Sequence, residues 1–546
     1  MPSRIPTIYI TSAIWVLLMA TALMTRPHLP VDETRYLAVA WEMWLRSDFL
    51  VPYLNGEPYS HKPPLLFWLM HAGWSVFGVN EWWPRLVAPL FGFGCLFLTR
   101  SLSHALWPND KKAQDLSLLL LTGCVFWTLF VTLTMFDMMM AFFCLLGLLG
   151  IIKAYVQRQR IGIVWLVLAI GLGVLAKGPA ILLHILPVGL TAPLWAKRMP
   201  GLDQHPPYKA LHWYGMLLFS IAIGVSVALA WAVPAGIAGG DVYQHAIFWG
   251  QAAGRMVKSF AHQRPFWWYT ALLPVLILPW CIWPSLWKAL RANGKSFWRD
   301  GSQLFCFIWF GTAFIAFSLI SGKQLHYLLP EFPALALVAA RCLSQFKEQL
   351  KPSRLLIVIP ALVFMLLAIL LFLLPTGVIP IKMPVWSGDV DGLGGLLLLV
   401  ISFFALLSNR SDWVGSGLRM TFLPVGFVVS LHIALAPVLW SRYDLRPISI
   451  QLKAWEDAGI PLAILGKNHG QFQFLGRLTK PLTTVGQRNN QLPNFLRDHP
   501  TGHIVAFYRK VPTQATPLAV YPTRRKFMVI WDAKTVAQNP GIENRN

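Results

Sequence analysis

The sequence predicts an all-α polytopic membrane protein that ends in a small α/β domain, and three observations predict it. Of its 546 residues, 56% are hydrophobic and only 13% are charged. Apolar stretches of near-membrane length recur along the first 440 positions, and after Ser441 the pattern changes to short apolar runs between polar segments. A water-soluble domain this apolar could not cover its own surface, so the bilayer is read as its solvent.

A span needs about 20 mostly apolar residues to cross roughly 30 Å of hydrocarbon. Thirteen stretches are read this way: Ile8–Met24, Trp83–Leu106, Leu116–Leu133, Met138–Ile152, Ile161–Ala176, Ala180–Trp195, Leu211–Ala235, Trp267–Leu286, Phe305–Ile320, Tyr327–Ala340, Leu355–Leu374, Leu393–Leu407 and Phe422–Trp440. The first lacks the small-residue cleavage site of a secretory signal and is expected to remain as a span. With the N-terminus in the cytoplasm, the short-loop cations, from Lys111 and Lys112 to Arg410 and Arg419, fall inside, as the positive-inside rule requires. The expected layout is therefore a transmembrane domain over 1–440 with outer loops 26–82 and 236–266, and a soluble outer domain over 441–546.

The net charge of +23 raises nucleic acid as a partner, but the inner loops account for much of it, and nucleic acid is excluded. The six cysteines sit in or beside apolar runs without a CxxC pair, and read as small hydrophobes. There is no P-loop, no GxGxxG entering a helix and no inner DxD motif for a nucleotide sugar.

The candidate chemistry lies on the outer side. Loop 26–82 holds Asp32, Glu33, Glu42, Asp48, Glu57 and Glu81, about a quarter of the chain's 23 acids. Its Leu29-Pro-Val-Asp-Glu-Thr-Arg-Tyr36 reads as the start of a helix that Asp32 caps. Leu37, Trp41, Trp44 and Leu45 follow at helical spacing, which predicts a helix along the membrane surface with its tryptophans at headgroup depth. Asp32 and Glu33 are either a cap and a dipole-matched neighbour or an acid pair meeting a polar substrate, and the two readings are compatible.

Tyr59-Ser-His-Lys-Pro-Pro-Leu65 places His61 and Lys62 before an apolar, Trp-containing stretch. Lys62 either snorkels or binds a phosphate anion, and the scarcity of outer cations favours the second. Asp137 opens a span after a short outer turn, and its bland reading is a helix cap. Lys177 precedes a Gly-Pro break, where charge at membrane depth calls for water or an anion. The later outer loops add Arg255, Lys258 and His262, and the turn Gly322-Lys-Gln-Leu-His-Tyr-Leu-Leu-Pro-Glu331 adds Lys323, His326 and Tyr327. His61 and His262 are a candidate pair of ligands for a divalent metal; no cofactor is required by the pattern.

The tail carries fifteen Lys/Arg against six Asp/Glu, which suits either contact with anionic lipid or simple solubility. Pro461–Leu465, Gln471–Leu475, Gly502–Tyr508 and Lys526–Trp531 read as strands.

In this order, Asp-Glu-Thr-Arg-Tyr, Lys-Pro-Pro, an outer-turn Asp, Lys-Gly and Gly-Lys-x-x-x-Tyr-x-Leu-Pro resemble the bacterial membrane glycosyltransferases related to protein O-mannosyltransferases. Within that group the chain is most similar to the aminoarabinose lipid A transferases, by motif over the first 340 or so residues and by architecture beyond. The resemblance implies a GT-C fold, a sugar donor linked to undecaprenyl phosphate, and transfer to lipid A or another envelope acceptor in the periplasm of a bacterial inner membrane.

It implies Asp32 as the acid at acceptor and sugar, Asp137 as a second acid, Lys62 as the contact to the carrier phosphate, and Arg255 and His262 as matches to a basic residue and a nearby histidine in the later loop; Lys177, by its position, suits the same phosphate as Lys62 and Arg255. Glu33, Arg35, Tyr36, Lys323, His326 and Tyr327 would line the substrate. Two positions depart from the pattern: His61 stands where an acid is expected, and Trp249-Gly-Gln-Ala252 lacks an expected Glu-His, which weakens the case for an amino sugar. The rival classes are a transferase acting on protein or polysaccharide, and a lipid-linked-sugar flippase or transporter. A transporter would show repeated halves with mid-span charges, and no such repeat is present.

Overall fold

The computed structural model describes residues 6–199, 208–250, 263–346, 355–379, 384–407, 413–486, 491–539 and 541–542. Two compact units divide the chain. One comprises Met1–Met24, Ser60–Leu69 and Gly73–Ala434; the other comprises Thr25–Tyr59, Met70–Ala72 and Leu435–Asn546.

The first unit is helical. Among the described residues of the whole chain, eight helices are long and apolar enough to cross a membrane, and four shorter apolar helices accompany them, Leu65–Phe77, Ile161–Lys177, Ile181–Leu190 and Gly392–Leu407. The chain is thus a multi-pass membrane protein. Two stretches read as single spans are broken. Leu116–Leu133 becomes the helices Lys111–Thr122 and Val125–Phe130; between them lies Gly123, packed so closely that a Cβ would stand 2.8 Å from Thr421 Cα.

Trp267–Leu286 becomes Trp268–Leu276, a 3-10 turn at Trp280–Ile282 and the helix Pro284–Phe297; Pro279 and Pro284 lack the N–H that a continuous helix needs. The two breaks satisfy each other: Val125 N–H donates to Leu278 O at 2.9 Å. Groups freed by a break find partners inside the protein, as membrane depth demands.

Polar clamps fasten the opposite helix ends. Asp110 caps Lys111–Thr122 by accepting from Ala113 N–H at 2.9 Å, and also accepts from Arg341 at 2.6 Å and Ser344 at 2.5 Å. Asp300 caps Gly301–Leu319 and accepts from Trp107 Nε1 at 3.0 Å.

In the second unit, the helix Asp32–Arg46 and a short hairpin of β1 (Tyr53–Leu54) with β2 (Glu57–Pro58) join the C-terminal segment. That segment carries the helix Arg446–Asp457 and a five-stranded sheet of β3 (Leu462–Leu465), β4 (Thr483–Val485), β5 (His503–Tyr508), β6 (Ala519–Thr523) and β7 (Lys526–Asp532), ordered β4-β3-β5-β7-β6. β3 runs parallel to β4 and β5, while β7 runs antiparallel to β5 and β6. Leu465, Ile504, Ala506, Val529 and Trp531 fill its core with Phe495 and Val536.

Three of the four expected strands are present. Gln471–Leu475 is instead a turn entering the short helix Gln473–Gly476, with Phe472 and Phe474 both buried; the alternation read as a strand face arises from a turn buried on several sides. Trp41, expected at headgroup depth, is buried and donates through Nε1 to Leu478 O at 2.9 Å. Protein, not lipid, covers it.

Candidate functional site

The helical unit gathers five of the residues singled out from the sequence. Asp137 lies in the first turn of Phe136–Tyr155, but it is no cap: the N-cap residue is Met135 and makes no side-chain cap bond. Its side chain is only 3% exposed and forms an ion pair with Lys177. Lys177 occupies the last turn of Ile161–Lys177, which Gly178 ends at φ +86°, a conformation that glycine adopts without penalty. His326 Nε2 stands 3.9 Å from the same carboxylate oxygen.

Lys62 completes the group. Its ammonium is 5.3 Å from the Phe136 ring centroid and within electrostatic reach of Asp137. Tyr327 supplies a ring 5.0 Å from the Lys177 ammonium and 5.1 Å from the His326 ring. Two ammonium groups against one buried carboxylate leave a positive balance, with an imidazole able to carry a further proton. Such a set can hold an anion.

Behind it lies a pair that sequence reasoning missed. His184 Nδ1 meets Glu331 Oε1 at 2.5 Å, with both side chains buried. The Phe317 ring links the two layers, 5.2 Å from His184 and 5.8 Å from Tyr327. The available signal was an ionisable residue inside each of two apolar runs, which membrane proteins rarely keep without a partner.

Lys323, expected at the substrate, is 3% exposed and donates to Arg264 O at 3.0 Å and Ile320 O at 2.5 Å. It straps the strand-like contact between Gln263 and Gly322, and burial lowers its ammonium from the usual lysine range. Its hydrogen-bonding capacity goes largely to the loop.

The second unit holds five of the six acids of the first outer loop, Glu81 belonging to the helical unit. Asp32 is the first residue of its helix rather than the cap, which is Val31; with a side-chain exposure of 53%, it pairs with Arg35. Glu33 is buried and takes both ends of the Arg26 guanidinium, at 2.6 and 3.0 Å, together with Leu29 N–H at 2.8 Å. The expectation of a surface-facing acid pair therefore fails at Glu33, whose neighbours satisfy it inside the protein. Tyr36 is also buried, with the Arg35 guanidinium 5.7 Å from its ring.

Arg255 and His262, like Lys258, lie outside the described residues. His61 is exposed, and among the described residues no group of three or more His, Cys, Asp or Glu side chains is arranged to hold a metal ion. His262, the expected second ligand beside His61, lies outside those residues.

Many apolar helices, with a cation-rich cluster where several of them meet, make this a multi-pass membrane protein, and its GT-C fold is shown by the solved structure described below. Residues 9–235 match the family model of the dolichyl-phosphate-mannose-protein mannosyltransferases. The chain is 27% identical to the undecaprenyl phosphate-alpha-4-amino-4-deoxy-L-arabinose arabinosyl transferase 2 of Pseudomonas fluorescens strain Pf-5, over 57% of this chain and 52% of that protein. The match thus spans about half the length of that relative. Transferase 1 of the same strain is 26% identical over 83% of this chain and 80% of its own. Among solved structures, ArnT from Cupriavidus metallidurans bound to undecaprenyl phosphate superposes with a TM-score of 0.71 at 20% identity, over 96% of this chain and 97% of that one. The resemblance read from the motifs is the one these comparisons return, and the last of them shows the fold.

Proposed function

We propose that the protein is an integral membrane glycosyltransferase that moves a sugar from a polyprenyl (undecaprenyl) phosphate to lipid A or another envelope acceptor. The observation that carries the reading is the net-positive cluster of Lys62, Lys177, His326 and buried Asp137. Similarity to enzymes named for an undecaprenyl phosphate-linked sugar supports it. In this reading the chain lies in the bacterial inner membrane with about thirteen spans, the N-terminus cytoplasmic and the 441–546 domain periplasmic.

In the transfer, the bond from the sugar's anomeric carbon to the carrier phosphate oxygen breaks, and its electron pair leaves with the phosphate. Negative charge grows on that phosphate as the sugar departs. Lys62 and Lys177, with Arg255 assigned by motif, stabilise it, and preset charges of this kind are among the largest sources of rate enhancement. Asp137 keeps Lys177 in place and offsets part of its charge. The acceptor oxygen forms the new bond from the opposite face, giving inversion.

A phosphate acceptor is largely ionised at neutral pH and needs little help; a hydroxyl acceptor passes its proton to a carboxylate, the role assigned to Asp32. A divalent metal at His61 and His262 remains outside this scheme. Purified protein in lipid nanodiscs, given a radiolabelled polyprenyl-phosphate sugar and lipid A, is expected to yield labelled lipid A. Labelled protein or polysaccharide in its place would redirect the acceptor. Intact donor moved across a vesicle would replace the enzyme with a transporter.

A further inference from the structure

His326 and Tyr327 stand in a 3-10 segment of seven residues, Leu325–Glu331, that includes Pro330. That is long for a conformation whose hydrogen bonds are poorer than those of an α-helix, so the segment depends on anchors from outside. One lies at its start, where buried Tyr269 donates through its hydroxyl to Gln324 O at 2.7 Å. The other lies at its end, where Glu331 Oε1 meets His184 Nδ1 at 2.5 Å. His326 and Tyr327 are held between the two.

His184 belongs to the helix Ile181–Leu190, which follows Lys177 after the turn Gly178-Pro-Ala180. The two helices flanking that turn leave no slack: a Cβ on Gly173 would stand 2.7 Å from Ile181 Cγ1. The His184–Glu331 bond therefore joins the element that carries Lys177 to the segment that carries His326 and Tyr327. Rings repeat the link, with Phe317 5.2 Å from His184 and 5.8 Å from Tyr327, and Tyr327 5.0 Å from the Lys177 ammonium. Stability is a poor reason for such a pair, because well-packed apolar residues of similar volume often serve a fold as well or better. Ionisable side chains kept inside membrane segments usually accompany function.

We propose that His184 and Glu331 are positioning residues: their hydrogen bond sets His326 and Tyr327 against Lys177 and Asp137 in the arrangement that binds the donor phosphate. The inference rests on the reading of that cluster as the donor-phosphate site. Neither His184 nor Glu331 touches the phosphate, and both act through His326 and Tyr327. Breaking their bond leaves the ammonium groups of Lys62 and Lys177 in the site but lets the imidazole and the phenol drift from them, so binding weakens without being abolished.

The test is the affinity of full-length protein in nanodiscs for undecaprenyl phosphate, with undecaprenol as the uncharged reference. His184→Leu/Glu331→Leu strands no buried charge and should melt near wild type, yet it is expected to bind about tenfold more weakly, the worth of one charged hydrogen bond. If the leucines do not fold, His184→Met/Glu331→Met, more adaptable in shape, makes the same comparison. Glu331→Gln, which keeps an acceptor for His184, should retain most of the affinity. In a His326→Ala/Tyr327→Ala background the leucine pair should change affinity by less than about twofold, because the groups it acts through are gone. A merely structural pair would weaken binding by the same factor in both backgrounds, and that result overturns the proposal. So does wild-type affinity in the leucine pair, or a Glu331→Gln protein as weak as it. A wild type that binds undecaprenyl phosphate no better than undecaprenol sinks the donor reading and this inference with it; the other outcomes, with that preference intact, sink this inference alone.

Discussion

Two acid–cation pairs, Asp137–Lys177 in the helical unit and Asp32–Arg35 in the other, use the same chemistry in opposite surroundings. The first carboxylate is 3% exposed and the second 53%. Removing one partner of a buried pair strands a charge, at about 3–5 kcal/mol, whereas an exposed pair contributes roughly 0–1 kcal/mol. Stability and reaction are therefore entangled at Asp137 and nearly separate at Asp32. A stability measurement beside each activity measurement tells the two cases apart.

The largest expected effect is that of Asp137→Ala: a loss of at least about 10²–10³ in turnover, together with destabilisation of about 3–5 kcal/mol, read by denaturation in detergent. Adding Lys177→Met should recover stability but not activity. Recovery of both would reduce the cluster to a structural pair. Next, Glu33→Gln should lower stability by about 3 kcal/mol or more, because buried Arg26 loses its counter-charge; a neutral result would mean that Arg26 finds another acceptor.

Lys62→Ala should cost about 10²-fold in turnover of the lipid-linked donor with little change in unfolding, and an unchanged rate would remove Lys62 from the phosphate contacts. Asp32→Asn should alter stability by less than about 1 kcal/mol. With a hydroxyl acceptor its rate should fall about 10²-fold, and with a phosphate acceptor it should hardly change.

The smallest effect concerns pH. Burial, opposed by Asp532, lowers His503 from the usual histidine range. The folded state thus favours the neutral ring, and the unfolded chain binds the proton more readily. Stability from this group is full above the ordinary value of about 6.5 and declines as pH falls through it toward the lowered folded value. Thermal unfolding between pH 7 and 5 should show a shallower decline in His503→Gln than in wild type.

Much of this was legible in the sequence where one physical signal dominated. Apolar length marked the span at Trp82–Leu106, found within a residue of its expected start, and helical spacing marked Asp32–Arg46. The motif order singled out Lys62, Asp137, Lys177, His326 and Tyr327, which meet in one cluster. What escaped depended on partners remote in the chain. The backbone packed against the break at Gly123 is that of Thr421, 298 positions away, and no local pattern records it. The fate of Glu33 hinged on Arg26, seven residues earlier, folding back onto it. His184 and Glu331 are 147 positions apart, so their pairing left no spacing to read.

Trp41 hydrogen-bonds Leu478, 437 positions further along the chain. A ribosome making this protein delivers the early helix long before its cover, and contacts of such sequence separation form late and slowly. Until Leu478 and Phe474 emerge, the apolar side of Asp32–Arg46 needs a temporary host, and the bilayer interface is the nearest one. Biogenesis should therefore be sensitive to chain release at the far end: a nascent chain stalled before residue 470 should leave that helix open to proteolysis or to lipid-directed cross-linking, and the finished chain should not.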